Sequence, residues 1–587
     1  MPFLILQAFL AAFALCNIGG ISTGNILSLV LFGSFLLLFR SAEKYSPRRG
    51  LSTLPLPSRF QTVCRALAAL YTLFYVAAEH KTLTGGFDSR LFRLAFVLAT
   101  MAGLYALFLA CCRLLLPALA RLRPAAAASP LSRRQKCLVF FGLLACWLFW
   151  FLYNYPGVLT PDSISQFSQA TGRIPFSSHH SVVHTLLFSL FYHAGLWLTG
   201  SVNAGIACYT IFQMLTLAAV ETACISLMAR AGARRWMTAL AFCFWGLIPY
   251  NGIYAVTMWK DVLFSAAVLA YVLLLFLLLR GLSSSAKAPL SQSLPHLVGL
   301  LLSGWLVCTL RSNGLYVFIF TLPFVLIAFR RRWKHMLPLQ LTILLLAWLA
   351  KGPVPDAFGV ERPAFTESLS IPLQQVARVV TEGRALTAGQ EELINGVVDV
   401  SLIPDYYNPS LSDPIKALVL YNNADAITQD PAAYASLWLR LGLSYPRDYL
   451  EAFIDQTKGY WFPSLADMRT NEGISPNEIG LAWPHLLRGQ LPVKISEILL
   501  KLPDLLPLAG MLWSIGAFFW AVLFLFAFQL LYGEKKYLLL YLPFIGTVLT
   551  LLLATPVASD LRYAYPLFLS MPFLLSLPVL TRRSPEG

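Results

Sequence analysis

Charge is what this sequence has least of. Asp, Glu, Lys and Arg make up 12% of its 587 residues, against 57% hydrophobic residues and a mean hydropathy of +0.66. A chain this poor in charge is not a soluble protein. Acidic residues are the scarcer sign, 28 against 44 Lys and Arg, which leaves a net charge of +16. That excess does not imply a nucleic-acid partner. It sits in short loops between apolar runs, where the positive-inside bias places it. Cysteine is absent from the whole segment 352–508, and the ten cysteines elsewhere form no CxxC and no Cys/His zinc spacing. A disulfide framework, a structural zinc site and cysteine chemistry are therefore set aside. Barrel-type alternation, tandem repeats of fixed period and inverted similarity between halves are missing too.

What the sequence has is apolar runs such as 262–279 and 511–531, long enough to cross about 30 Å of hydrocarbon. They make it an α-helical polytopic membrane protein. The first run, 3–16, has neither a basic leading region nor a small-residue cleavage site, and reads as a span rather than a signal peptide. Spans are expected at 3–17, 23–39, 63–79, 92–117, 137–155, 203–228, 236–254, 262–280, 296–310, 315–329, 336–350, 509–532, 537–554 and 564–581. The run 182–199 is decided by charge. If it does not cross, the basic clusters at 40–65, 121–136, 230–235, 330–334, 535–536 and 582–583 all fall on one side, so it is expected as an interfacial or re-entrant helix on the outer face. The result is a bundle of about fourteen spans with both termini cytoplasmic. Four of these spans fall in 1–136, seven in 137–351 with an outer loop at 156–202, and three in 509–587, after a small, mainly helical extracytoplasmic domain at 352–508.

Chemistry concentrates in the outer loop. Tyr155-Pro156-Gly157 ends a span, and Thr160-Pro161-Asp162-Ser163 leads on to Gln166. Asp162 fits two compatible roles: an N-cap for a helix over 163–170, or a general base taking a proton from an acceptor hydroxyl at the membrane surface. His179, His180 and His184 follow. His180 and His184 are four apart and would share a helix face. Ser181 stands where an HExxH metalloprotease needs Glu, so the histidines are read as orienting groups, phosphate contacts, a metal pair or plain interfacial residues. Lys260-Asp261 opens a span, either as a self-neutralising pair or with Lys260 on a lipid phosphate. Arg311-Ser-Asn313-Gly314 and Ser559-Asp560-Leu-Arg562-Tyr563 put arginines on the outer face, against the usual bias, which an anionic ligand would explain. Asp560 pairing with Arg562 is the plain alternative. In the domain, Glu367, Arg378, Tyr406-Tyr407-Asn408 and the stretch Gln456 to Trp461 gather polar and aromatic groups that suit sugar contacts, an interfacial belt or a core.

The order of Asp162, His179-His180 and Lys260-Asp261 resembles the GT-C superfamily of polyprenyl-phosphate-sugar-dependent glycosyltransferases, distantly the protein-mannosyltransferase and aminoarabinose-transferase branch. More closely, the stretch 155–166 with Lys260-Asp261, Arg311 to Gly314, Glu367-Ser-Leu-Ser-Ile-Pro-Leu-Gln374-Gln375 and Arg562-Tyr563 looks like an uncharacterised bacterial multi-span family in that superfamily, over roughly 137–580. Ser163 replaces the acid that often follows the catalytic Asp, and His179-His180-Ser-Val replaces His-Pro-Pro-Leu. The resemblance implies transfer of a sugar from a polyprenyl-phosphate carrier to a glycan, lipid or protein hydroxyl at the outer face of a bacterial membrane. Asp162 would be the base. Lys260, Asp261, Arg311, Asn313, Arg562, Tyr563, His179, His180, His184, Glu367 and Gln374 would serve the donor phosphate and substrate. A divalent cation is compatible but not required. A transporter or flippase of a lipid-linked precursor, and a non-catalytic envelope scaffold, are the alternatives.

Overall fold

The computed structural model describes residues 1–22, 24–45, 56–84, 89–125, 129–284, 294–463, 470–505 and 514–582. Residues 509–513 of the expected span 509–532, together with Arg48, Arg49 and Arg583 of the basic clusters, lie outside them. Among the described residues every regular element is a helix. Contacts divide the chain into two compact units. One is 1–124 with 523–535 and 577–587; the other is 125–522 with 536–576, a division that cuts across 509–587.

The first unit holds α1 (Pro2–Ile18), α2 (Ile26–Ala42), α3 (Phe60–Thr84) and α4 (Arg90–Arg121). Its core sets Phe60, Cys64 and Leu116 against Phe528 and Leu531. The second unit begins with α5 (Arg133–Tyr153), a short α6 (Pro161–Ala170), then α7 (Val182–Thr199), α8 (Val202–Ala231), α9 (Arg235–Leu247), α10 (Pro249–Val256), α11 (Lys260–Ser284), α12 (Leu294–Leu310), α13 (Ser312–Ala328) and α14 (Trp333–Lys351). A helical insert follows: α15 (Pro353–Ala357), α16 (Ser370–Thr381), α17 (Ala388–Asn395), α18 (Ile403–Tyr406), α19 (Asp413–Asn422), α20 (Asp425–Gln429), α21 (Pro431–Ser444), α22 (Pro446–Trp461) and α23 (Gln490–Leu505). The chain closes with α24 (Ile515–Tyr532), α25 (Leu542–Ala554) and α26 (Leu561–Leu580).

Eleven of the described helices are long and apolar enough to cross a membrane, or twelve if α9 and α10, bent by 55° at Ile248, form one span. The chain is an α-helical multi-span membrane protein. Three further apolar helices, α1, α12 and α13, have 17 residues each, at the short end of what a crossing takes. The interfacial candidate α7, by contrast, has the length and hydropathy of a span.

In the insert, α16 packs along α22. Its amphipathic pattern buries Ile371, Gln374, Gln375, Ala377 and Arg378 on one side. Arg378 faces three carboxylates there: Nη1 lies 3.0 Å from Asp455, and Nη2 reaches Glu451 and, at 3.3 Å, Glu382.

Candidate functional site

The segment after α5 is held on both sides by backbone pairing. Asn154 caps α5 through its Nδ2 to the Trp150 carbonyl, while its Oδ1 accepts from the Gly473 amide. Gly157 follows at φ +153°, and a Cβ there would sit 2.4 Å from Thr210 Oγ1, so the turn takes glycine on two counts. Val158 then pairs with Val256 and Met258 on one side, and Leu159 with Gly473 and Ser475 on the other. The next three side chains fasten α6 to the start of α11. Trp259 Nε1 donates to Thr160 Oγ1 at 2.8 Å, Ser163 Oγ donates to the Met258 carbonyl at 2.6 Å, and Thr160 and Ser163 touch at 3.2 Å. Asp162 is thereby placed beside Lys260 by Thr160 and Ser163 of its own motif and by Met258 and Trp259, which nothing in the motif marks. An indole directly before Lys260 was the one available signal.

Asp162 is not an N-cap. Thr160 holds that position, and Asp162 sits in the first turn of α6, 38% exposed, accepting from Arg562 Nη1 at 3.0 Å. Burial raises the proton affinity of its carboxyl, but Arg562, Lys260 and His180 outweigh that and hold it below the usual carboxylate range. Arg562 is the hub. Its Nε lies 3.0 Å from Asp560, its Nη2 donates to Tyr563 Oη at 2.7 Å, and its guanidinium stands 5.3 Å from the Trp259 ring. Asp560 also accepts the Arg562 amide, so the plain pairing of Asp560 with Arg562 exists alongside the contact to Asp162.

Arg311 joins from the α12–α13 turn, where a Cβ on Gly314 would fall 2.0 Å from the Val307 carbonyl. It pairs with Asp261 at 2.7 Å, and like Arg562 it stands 4.7 Å from the Tyr563 ring. Lys260 and Asp261 therefore make their direct contacts with different partners. Asp261 faces Arg311, while Lys260 Nζ lies 3.2 Å from His180 Nδ1. Three cations and three carboxylates thus meet at the ends of α6, α11, α12 and α26, with the carboxylate of Asp162 the most exposed of the six side chains' partners described.

The histidines separate. The Ser181 side chain caps α7 by accepting the His184 amide, so His180 precedes the helix and shares no helical face with His184. His180 is buried, and desolvation first, then Lys260, lowers it to about 3, so it is neutral at pH 7. His179 is exposed and stands edge-on to His180. His184 is enclosed between Gln166 Oε1 at 3.1 Å and Tyr209 Oη at 2.6 Å. Tyr209 also donates to Gln213, whose Nε2 donates to the carbonyls of Tyr254, Ala255 and Thr257. This buried line ties α6 to α7, α8 and the entry to α11. Tyr209 and Gln213 lie inside an apolar run, and nothing in the sequence pattern marks them.

Three expected site residues lie elsewhere. Asn313 donates to Thr550 on α25, Glu367 binds Lys416 at 2.9 Å within the insert, and Gln374 bonds the Asn408 carbonyl and Gln456. Gln374 still bears on the cluster indirectly. Gln456 donates to the Thr555 carbonyl, and Tyr460 donates to the Val557 carbonyl, so the insert fixes the loop that delivers Asp560 and Arg562. Among the described residues no three His, Cys, Asp or Glu side chains gather as a metal-holding group. Asp162, Asp261 and Asp560 each face a guanidinium instead.

Beside the cluster lies a cleft of about 720 Å³ between α7, α12, α13 and α14. Leu315, Ile319, Leu344 and Trp348 form its apolar wall, and His180, Lys351 and Arg362 line it as well.

Residues 169–585 match the profile of DUF6020, described as a family of unknown function. The chain belongs to this family. The match begins after Asp162, whereas Lys260, Arg311 and Arg562 lie within it. No curated protein and no solved structure matches the chain.

Proposed function

We propose that this protein is a membrane glycosyltransferase of GT-C type, moving a sugar from a polyprenyl-phosphate carrier to a hydroxyl of a glycan, lipid or protein on the outer face of a bacterial membrane. The observation that carries the reading is the shared guanidinium: Arg562 binds Asp162 at 3.0 Å, in a cluster where positive and negative side chains are balanced.

The chemistry follows from that balance. An acceptor oxygen attacks the sugar anomeric carbon, the bond from that carbon to the phosphate oxygen breaks, and the hydroxyl proton passes to the Asp162 carboxylate. The departing polyprenyl phosphate gains one negative charge. In the same step Asp162 becomes neutral and no longer compensates Arg562, so positive charge is uncovered where the phosphate needs it. A carboxylate held below its usual range is a weak base while paired. A donor phosphate that competes for Arg562 would restore its basicity on binding. His180, neutral and against Lys260, keeps that ammonium oriented without adding charge. The neighbouring cleft, apolar along the helices and lined by Lys351 at one end, where Arg362 is already paired with Asp356, suits a substrate whose tail stays in the bilayer.

The test compares wild type with Asp162→Asn at equal protein level, measuring lipid-linked sugars and envelope glycans by mass spectrometry. Accumulation of a polyprenyl-phosphate sugar with loss of one glycan modification is the expected result. Unchanged profiles in the variant, with altered profiles in a gene deletion, would overturn the catalytic role and favour transport or scaffolding.

A further inference from the structure

The core of the helical insert is hollow. Its buried apolar cluster, which includes Val397, Ile415, Val419 and Leu437, lines a cavity of about 390 Å³ together with Leu373 and Trp438. No charged side chain lines it. The Trp438 indole N–H is turned to Gln375 Oε1 at 2.8 Å, and Lys416, on the wall helix α19, is held between Glu367 at 2.9 Å and Asp413 at 2.8 Å. The wall therefore offers a ligand almost no polar partner. Phe365, half-exposed, and the exposed Pro431 and Ala435 mark where the cavity reaches the surface.

We infer that this cavity is a binding site for a single hydrocarbon chain of a membrane lipid. An apolar cavity of about 150 Å³ already accepts benzene, and ligand sites start near 300 Å³, so the volume suits a flexible chain better than a water cluster. Water is disfavoured because each molecule needs two or more polar partners. A dry void forfeits contacts on every wall, at a cost that rises with its volume, and here it would occupy the main core of the insert. The source of the chain follows from connectivity. The insert leaves α14 and returns through α24, both apolar enough to cross a bilayer, so it is tethered at each end where lipid chains are concentrated. A straight acyl chain and an isoprenoid chain share the required chemistry. The site is separate from the Asp162 cluster and does not depend on the transfer reaction.

Purified full-length protein in lipid nanodiscs is illuminated with either a diazirine-tagged palmitoyl phospholipid or a diazirine-tagged prenyl phosphate, and adducts are mapped by peptide mass spectrometry. Wild type is expected to carry adducts within 365–438, and Ala377→Leu in the wall and Ala435→Trp at the rim are expected to lose them. Labelling of the spanning helices serves as the control in every sample. Adducts from the palmitoyl probe alone assign an acyl source, and adducts from the prenyl probe assign an isoprenoid one. Absence of adducts with both probes, accompanied by a higher Tm for Ala377→Leu, would show a packing void and overturn the inference. Adducts that persist in both variants would show surface labelling and overturn it as well.

Discussion

Two arginines in this chain sit among carboxylates, and they do opposite things. Arg378 in the insert is 8% exposed, and the two carboxylates it hydrogen-bonds, Glu451 and Asp455, are 10% and 11% exposed; only its longer contact, 3.3 Å to Glu382, reaches a carboxylate that is 43% exposed. Arg562 is almost as buried at 17%, yet its partner Asp162 is 38% exposed. A closed ion set fixes an orientation. One with an accessible partner can exchange that partner for a substrate. Exposure of the hydrogen-bonded carboxylate, rather than burial of the arginine, separates the two sets.

The largest expected effect is on the open pair. Asp162→Asn keeps the shape and can still accept from Arg562, but it takes no proton, so transfer should fall by about 10²–10⁴-fold, the usual contribution of a general base. Its Tm should fall only modestly, because the lost charge leaves Arg562 with Asp560 as its remaining carboxylate. A variant that unfolds instead would make Asp162 a structural group and erase the contrast with Arg378.

The closed pair should answer in the reverse sense. Arg378→Met removes the buried cation that Glu451 and Asp455 share and leaves them the more exposed Arg447 and Lys458, so the loss in the insert should approach, from below, the about 3–5 kcal/mol of a broken buried pair. Limited proteolysis should then cut within 370–460 while the spanning helices stay protected. Equal resistance in wild type and variant would show that the pair contributes nothing to the fold of the insert.

Between these extremes lies the His184 line. Tyr209→Phe removes the hydroxyl that joins His184 to Gln213, at a cost of about 1–3 kcal/mol for the unsatisfied buried groups. Because that line anchors α6, the turnover number should drop more than KM rises. A change in KM alone would mean that the network shapes binding and not the position of Asp162.

What the sequence could disclose follows from how local each feature is. Apolar runs, the turn at 155–157 and the arginines between apolar runs depend on a few neighbouring residues, and they were legible. Span number was not, because 17-residue helices and a bend at Ile248 sit at the edge of any length criterion. Asp162 and Arg562 were both selected from local motifs, but their contact joins positions 400 residues apart. The i, i+4 reading of His180 and His184 failed because Ser181 starts the helix between them. Asn313 and Glu367 carried the right chemistry and point elsewhere, toward Thr550 and Lys416. Tyr209 and Gln213 were invisible, since a polar side chain on a long apolar helix shows its partner only once the neighbouring helices are in place.

The smallest effect separates the two regions by pH. His180 is held near 3 in the folded protein, against about 6.5 in an unfolded chain, first by desolvation and then by Lys260. Between those values the unfolded state binds a proton that the folded state refuses, so stability rises with pH across that window and is fully present above about 6.5. Asp162, also held low, adds in the same direction, its share being lost as pH falls below the ordinary carboxylate value. His180→Asn should therefore lose less Tm than wild type when the pH is lowered from 7 to 4 in the same detergent. Arg378 pairs with carboxylates and no histidine among the contacts described, so the insert should show little change between pH 7 and 5, where Asp and Glu remain ionised. Equal acid sensitivity in His180→Asn and wild type would place the acid-labile group outside the Asp162 cluster.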